Sequence, residues 1–385
     1  MSSDSIPDST PDDGDTDFAL DFATTPSAER RAAAEREEIL ADPGFGKHFT
    51  DHMATVEWTI DDGWHDASIH AYGPLSLDPS ASVLHYAQEI FEGMKAYRHA
   101  DGSVWSFRPD ANARRFARSA RRLALPELPE SVFVESVRQL VRADEAWVPS
   151  APETSLYLRP FMIATEAFLG VRAAHAVQYH CIASPAGAYF TSGPKPVSIW
   201  LSTQYARAAR GGTGAAKTGG NYAASLLPQQ EAYEHGCQQV MFLDSEKGEY
   251  LEELGGMNVV LVRSDGTLVT PDSDSILEGI TRDSILQLAV DRGLRVERRP
   301  VALSEWRDGV ADGTITEAFA CGTAAVVTPI AELRGDGFTI GSPTTGAGEL
   351  TMSLREELTD IQYGRRPDPH GWMVQLTEPT TPSAE

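Results

Sequence analysis

Apolar and polar residues alternate along Thr55-Val-Glu-Trp-Thr-Ile60, and Asp61-Asp-Gly63 follows as a turn signal, so an antiparallel sheet is predicted to begin there. Leu84-His-Tyr86 and Phe91-Glu-Gly-Met-Lys-Ala-Tyr97 continue a strand-like, aromatic-rich pattern, and His99-Ala-Asp-Gly102 predicts a hairpin into Val104-Trp-Ser-Phe107. The period then changes. Ala113, Phe116, Ala117, Ala120 and Leu123 follow helical spacing behind Asp110 as cap, with Arg114, Arg115, Arg118, Arg121 and Arg122 around them. A second amphipathic helix is expected over 131–141, then strands over 155–163 and 176–184.

Three prolines and two glycines between Pro185 and Pro196 break every pattern, and a domain boundary is placed there. Beyond it the text predicts a strand over 197–202, a helix over 223–235 and a strand over 239–244. Leu251-Glu-Glu-Leu-Gly-Gly-Met-Asn-Val-Val-Leu-Val262 sets two acids and a glycine pair against one long apolar strand. Thr281 is a natural cap for the helix through Ile285, Leu286 and Ala289, and Ala320-Cys-Gly-Thr-Ala-Ala325 ends a strand in a turn rich in free N–H groups. A chain of 385 residues is long for one core. Its expected division is an acidic disordered tail over 1–30, a smaller domain over 31–184, a loop over 185–196 and a larger domain over 197–385.

Composition narrows the partners. A formal charge of −24 opposes binding to nucleic acid or anionic lipid. No apolar run reaches membrane-span length and no targeting segment is evident, so a cytoplasmic location is expected. Cys181, Cys237 and Cys321 are too few and too scattered for a disulfide framework or a cysteine zinc site, and no metal is expected.

Only five lysines occur, and Lys217 lies among five glycines in Gly211-Gly-Thr-Gly-Ala-Ala-Lys-Thr-Gly-Gly-Asn-Tyr222. Glycines allow tight turns and close approach of a ligand, and a lysine held out of water attacks carbonyl carbons, which points to a Schiff-base amine. The same text also suits an ordinary charged loop residue or a phosphate-binding P-loop, although Ala216 stands where that loop needs glycine. The Gly-Thr pairs at 279–281 and 322–323 offer a phosphate cradle, and Glu253 is a candidate buried acid. Arg159 is a lone cation in an apolar strand, which snorkels, pairs with an acid or faces a ligand carboxylate.

Assembled, Phe-Gly-Lys-His-Phe-Thr-Asp-His-Met from Phe45, Phe-Glu-Gly-Met-Lys-Ala-Tyr from Phe91, Leu-Tyr-Leu-Arg-Pro from Leu156, Gly-Gly-Asn-Tyr from Gly219, Glu-Leu-Gly-Gly-Met-Asn from Glu253 and Cys-Gly-Thr-Ala from Cys321 resemble the branched-chain amino-acid aminotransferases. These are fold-type IV enzymes that use pyridoxal 5'-phosphate. The resemblance implies an α+β / α/β protein of two domains with the cofactor at their interface. It implies Lys217 as the amine that holds the cofactor and then carries a proton, Glu253 at the pyridine nitrogen, and Tyr222 at the ring oxygen. Arg115, Ile280, Thr281 and Thr323 would take the phosphate, and Arg207, near the lysine loop, follows the family by position.

The resemblance further implies that Phe45, Tyr86, Phe91 and Tyr157 receive aliphatic side chains, with Tyr86 and the backbone at Ala324 taking the α-carboxylate. Arg159 and the Tyr157 hydroxyl would satisfy the second carboxylate of glutamate, and Leu169 and Val171 match positions where a partner subunit closes the site of a homodimer. The expected reaction moves an amino group between leucine, isoleucine or valine and 2-oxoglutarate. Within the fold, a D-amino-acid aminotransferase or an aminodeoxychorismate lyase is the alternative. Two departures stand out. Gly256 replaces a threonine found in some relatives, and Ala325 and Thr328 replace the two cysteines of a redox motif, so no thiol switch is expected.

Overall fold

The computed structural model describes residues 18–188, 195–341 and 346–379, and among them two nine-stranded sheets carry the molecule. The first contains β1 (Ala23–Thr24), β2 (His52–Thr59), β3 (Gly63–Ala71), β4 (Glu89–Phe91), β5 (Met94–Arg98), β6 (Val104–Phe107), β7 (Ser155–Ala164) and β8 (Ala176–Ala186). The second contains β9 (Val197–Ser202), β10 (Gln239–Leu243), β11 (Leu251–Leu254), β12 (Asn258–Arg263), β13 (Leu268–Pro271), β14 (Val296–Arg299), β15 (Ile315–Gly322), β16 (Val326–Gly335) and β17 (Phe338–Gly341). A last strand, β18 (Met373–Thr377), returns to the first sheet and pairs antiparallel with β6. The first sheet runs β1-β3-β2-β8-β7-β5-β6-β18 with β4 on β7, and the second runs β11-β10-β9-β16-β15-β12-β13-β14 with β17 on β16.

The helices are α1 (Ala33–Ala41), α2 (Ser82–Tyr86), α3 (Pro109–Arg122), α4 (Glu130–Ala143), α5 (Gly219–Glu234), α6 (Ile280–Asp291), α7 (Leu303–Asp312) and α8 (Glu349–Gln362). Phe116 of α3 and Phe133, Val137 and Leu140 of α4 pack with Tyr179 and Leu158 in the core of the first sheet. Alternation along β7 decides what faces the other way. Leu156, Leu158 and Pro160 are buried, so Tyr157, Arg159 and Phe161 share the opposite face. No helix among the described residues is long and apolar enough to cross a membrane.

Several expectations are corrected. Residues 18–30 are not a disordered tail: Phe18, Leu20 and Phe22 pack against the first core, β1 pairs with β3, and the Ser27 N–H donates to His52 Nε2 at 2.9 Å. Three apolar residues within acidic text suffice to anchor that segment; residues 1–17 lie outside the described residues. The division at 197 is not clean, because β18 completes the first sheet. Pro185 and Ala186 still belong to β8, and 189–194 lie outside the described residues.

Leu84-His-Tyr86 is helical, ending at Ala87 in the left-handed region with φ 48°. The long apolar strand after Glu253 is two strands, β11 and β12, broken at Gly255-Gly256, where the Leu254 N–H bonds the Met257 carbonyl. Asp110 does not cap α3; Arg108 holds that position, Pro109 opens the helix, and Asp110 pairs with Arg114 one turn on. Gly279, not Thr281, caps α6, and α5 begins at Gly219, four residues earlier than its apolar spacing indicates.

Candidate active site

Lys217 stands just before α5 and is pinned by its backbone. Its N–H donates to Ser119 Oγ of α3 at 3.0 Å, and its carbonyl accepts the Phe91 N–H of β4 at 3.0 Å. The preceding loop is tied to the helix by Asn221, whose Nδ2 donates to the carbonyls of Thr213 and Ala216 at 2.8 and 2.9 Å. Gly214 is required there: a Cβ would lie 2.1 Å from the Ser275 carbonyl oxygen. Thr218 caps α5, and Glu89 receives both the Gly219 N–H and the Thr218 hydroxyl. A carboxylate therefore occupies the place that a P-loop reserves for phosphate. On the first turn of α5, Tyr222 returns beside the lysine, and Nζ donates to its hydroxyl at 2.6 Å. Phe91 closes that side, with Nζ 4.8 Å from its ring centroid.

Lys217, Tyr222, Glu253, Arg207, Arg115, Ile280, Thr281 and Thr323 line one cleft. Glu253 is 4% exposed. Its Oε1 lies 2.7 Å from Arg207 Nη2 and accepts the Leu277 N–H at 2.8 Å, and Asn258 Nδ2 donates to Oε2 at 3.2 Å. Burial raises the Glu253 carboxyl above its usual range, against the pull of Arg207, Leu277 and Lys217.

Of the five arginines on α3, only Arg115 turns inward, because Asn112, Arg115, Phe116 and Ser119 form the buried face at helical spacing. Its Nε and Nη2 grip the two oxygens of Glu92 at 2.7 and 2.8 Å, and Nη1 donates to the Glu278 carbonyl at 2.9 Å. Three of its five N–H donors are thereby used. Burial pushes the Glu92 carboxyl up, but Arg115, with Lys217 and Asn112, outweighs it and holds it below the usual range. The N-terminus of α6 opens at the same place, so a buried cation and unpaired helix N–H groups converge there.

The residues expected around a substrate are divided. Phe91, Tyr157, Arg159 and Phe45 form one continuous wall. The Arg159 guanidinium lies 4.8 Å from the Phe91 ring centroid, its Nη2 donates to the Tyr157 hydroxyl at 3.0 Å, and the Phe45 and Tyr157 rings meet edge to face at 5.1 Å. Tyr86 does not line the cleft of its own chain; its hydroxyl donates to the Leu169 carbonyl, and the helical turn that carries it leaves the residue 40% exposed. Leu169 and Val171 are 59% and 83% exposed. Gly256, which stands in place of a threonine of some relatives, faces Tyr222 and lines the cleft.

Four contributors were not anticipated. Glu92 fixes Arg115, and Asn258 joins Glu253 to the Leu277 carbonyl. Ser119 holds the lysine backbone, and Lys95 Nζ donates to the Ala324 carbonyl at 2.8 Å. The Lys95 amine is lowered to about 8 by burial, with Glu153 opposing and Arg355 assisting. Glu92 and Lys95 both lie within the Phe91–Tyr97 text, where an acid and an amine between apolar residues were the available signal. Cys321 lines the cleft, but burial pushes its thiol up to about 12, so it is not a nucleophile at neutral pH.

A sequence profile of the amino-transferase class IV family matches residues 89–333. The chain is 58% identical over 372 residues to a branched-chain-amino-acid aminotransferase of Mycolicibacterium smegmatis, covering 94% of this chain and 99% of that one. In structure it is similar to a branched-chain amino acid aminotransferase of Escherichia coli, at TM-score 0.66 and 26% identity, over 84% of this chain and 100% of that one. It is also similar to a bacterial-type branched-chain amino acid aminotransferase complexed with N-(5'-phosphopyridoxyl)-L-glutamate, at TM-score 0.68 and 29% identity, over 84% of this chain and 99% of that one. With its lysine, buried acid and inward arginine around one cleft, the chain belongs to the class IV aminotransferases, among the branched-chain-amino-acid aminotransferases.

Proposed function

We propose that this protein moves an amino group reversibly between branched-chain L-amino acids and 2-oxoglutarate, with pyridoxal 5'-phosphate held around Lys217. The observation that carries the reading is the pairing of Lys217 Nζ with the Tyr222 hydroxyl at 2.6 Å in a cleft that also holds a buried acid and a buried arginine. Each chemical end of the cofactor finds a matching group: an amine for the aldehyde, a hydroxyl for the ring oxygen, an acid for the pyridine nitrogen, and a cation with helix N–H groups for the phosphate. Bound there, the cofactor supplies an electron sink for a carbanion at the substrate Cα.

The residues divide the remaining work. Lys217 anchors the aldehyde carbon and moves a proton at the substrate Cα, while Tyr222 orients its amine. Glu253 keeps the pyridine nitrogen protonated, aided by Arg207, which fixes its position. Arg115, Ile280, Thr281 and Thr323 bind the phosphate. Phe91, Tyr157 and Phe45 exclude water around an aliphatic side chain, and the turn at Ala324 receives the α-carboxylate. Arg159, stacked on Phe91 and bonded to Tyr157, is the cation that accommodates the second carboxylate of glutamate. Tyr86, Leu169 and Val171 present exposed apolar surface, which fits a homodimer in which they complete the partner's site.

The test is an absorbance titration of protein loaded with pyridoxal phosphate. L-leucine is expected to bleach the visible band and 2-oxoglutarate to restore it, with D-alanine inert, and the protein is expected to sediment at twice 41.8 kDa. Bleaching by D-alanine but not by L-leucine would overturn the substrate assignment.

A further inference from the structure

Glu252 and Glu253 are neighbours on the four-residue strand β11, and both are buried, at 3% and 4% exposure. Successive strand residues point to opposite faces, so only one of them enters the cofactor cleft. Glu253 lines that cleft, whereas Glu252 lines a second one with Asp244, Tyr250, Asp272 and Ser273. A buried carboxyl is costly without partners. Glu253 has Arg207, Leu277 and Asn258, but Glu252 has the Ser275 hydroxyl on Oε1 and no partner on Oε2.

Ser275 is the reason for that placement. Its carbonyl accepts Arg207 Nη2, the nitrogen that also meets Glu253 Oε1 at 2.7 Å and the Gly214 carbonyl at 2.9 Å. Two residues on, the Leu277 N–H bonds Glu253. The segment 275–277 thus touches both members of the ion pair, and Glu252 grips it from the far side of the strand. The Gly214 backbone blocks it from the other direction, since no Cβ fits between Gly214 and the Ser275 carbonyl. The hydroxyl bond at Oε1 is a directional constraint on a residue whose carbonyl sets where Arg207 sits.

We propose that Glu252 is a positioning residue that holds Ser275, and through it the Arg207–Glu253 pair, in register for the cofactor. This rests on the cofactor assignment above. Glutamine at 252 still offers an oxygen to the Ser275 hydroxyl, whereas leucine does not, so the hydrogen bond rather than the volume is what matters.

The experiment measures the pyridoxal phosphate dissociation constant of cofactor-free wild type, E252Q, E252L, S275A and the E252L/S275A double variant, alongside kcat and KM for L-leucine. E252L and S275A are each expected to weaken cofactor binding about tenfold, and the double variant no further than either, because both remove one interaction. Both are expected to lower kcat with KM for leucine within about twofold, and E252Q to stay within about threefold of wild type in cofactor affinity. Wild-type affinity in E252L or S275A, effects that multiply in the double variant, or an E252Q defect equal to that of E252L would overturn the proposal. Should E252L not fold, S275A and E252Q decide it alone. A wild type that takes up no cofactor overturns the functional reading itself, which separates the two failures.

Discussion

Lys217→Ala protein is expected to fold as the parent does and to transaminate L-leucine slower by about 10⁴-fold or more. The two halves of that expectation have separate grounds. The contacts that pin residue 217 between Ser119 and Phe91 are made by its backbone and survive the substitution, while its side chain gives up one hydrogen bond to Tyr222. Nothing replaces the lost amine, because Lys95 is committed to the Ala324 carbonyl. Steady-state assays with leucine and 2-oxoglutarate check this, and a loss under about 100-fold would mean that another group moves the proton.

The Glu253→Gln change is the second large effect. An amide preserves the volume and can still accept from Leu277, but it removes the negative charge that the reading assigns to the pyridine nitrogen. The expected fall in kcat is about 10²–10³-fold, the scale for losing one preorganised electrostatic partner of the reacting system, with a smaller change in KM. Glu253→Ala adds a stability cost, since it leaves Arg207 charged and 5% exposed without its acid, on the order of 3–5 kcal/mol. A glutamine variant with kcat within roughly threefold of the parent would remove Glu253 from the mechanism.

What the sequence could disclose was set by whether a signal was local. Lys217 was legible because an amine among glycines has few uses, and Tyr222 because one helical turn brings it back to that amine. The inward arginine was not: five arginines share α3, and periodicity does not rank them until α4 and β4 bury the face that contains Arg115. The family resemblance chose it, and the grip of Glu92 explains the choice. Long-range partners stayed hidden for the same reason. The pairing of β18 with β6 joins residues far apart in the chain, and nothing within Met373–Thr377 announces it. No local signal separates Glu252 from its neighbour, and only the register of β11 against the Ser275 segment shows it buried on the far side of the strand. Tyr86 sits in strand-like text because aromatics favour strands, yet Ser82–Tyr86 coils into a helical turn that aims the ring away from its own cleft.

The central claim is a covalent one, that Lys217 and no other amine carries the aldehyde. Borohydride reduction of the cofactor-loaded protein, followed by proteolysis and mass mapping, tests it most directly. The phosphopyridoxyl group is expected on the peptide that contains Lys217, in one equivalent per chain. Recovery of the label on Lys47, Lys95, Lys195 or Lys247 instead, or on no lysine after full loading, would contradict it.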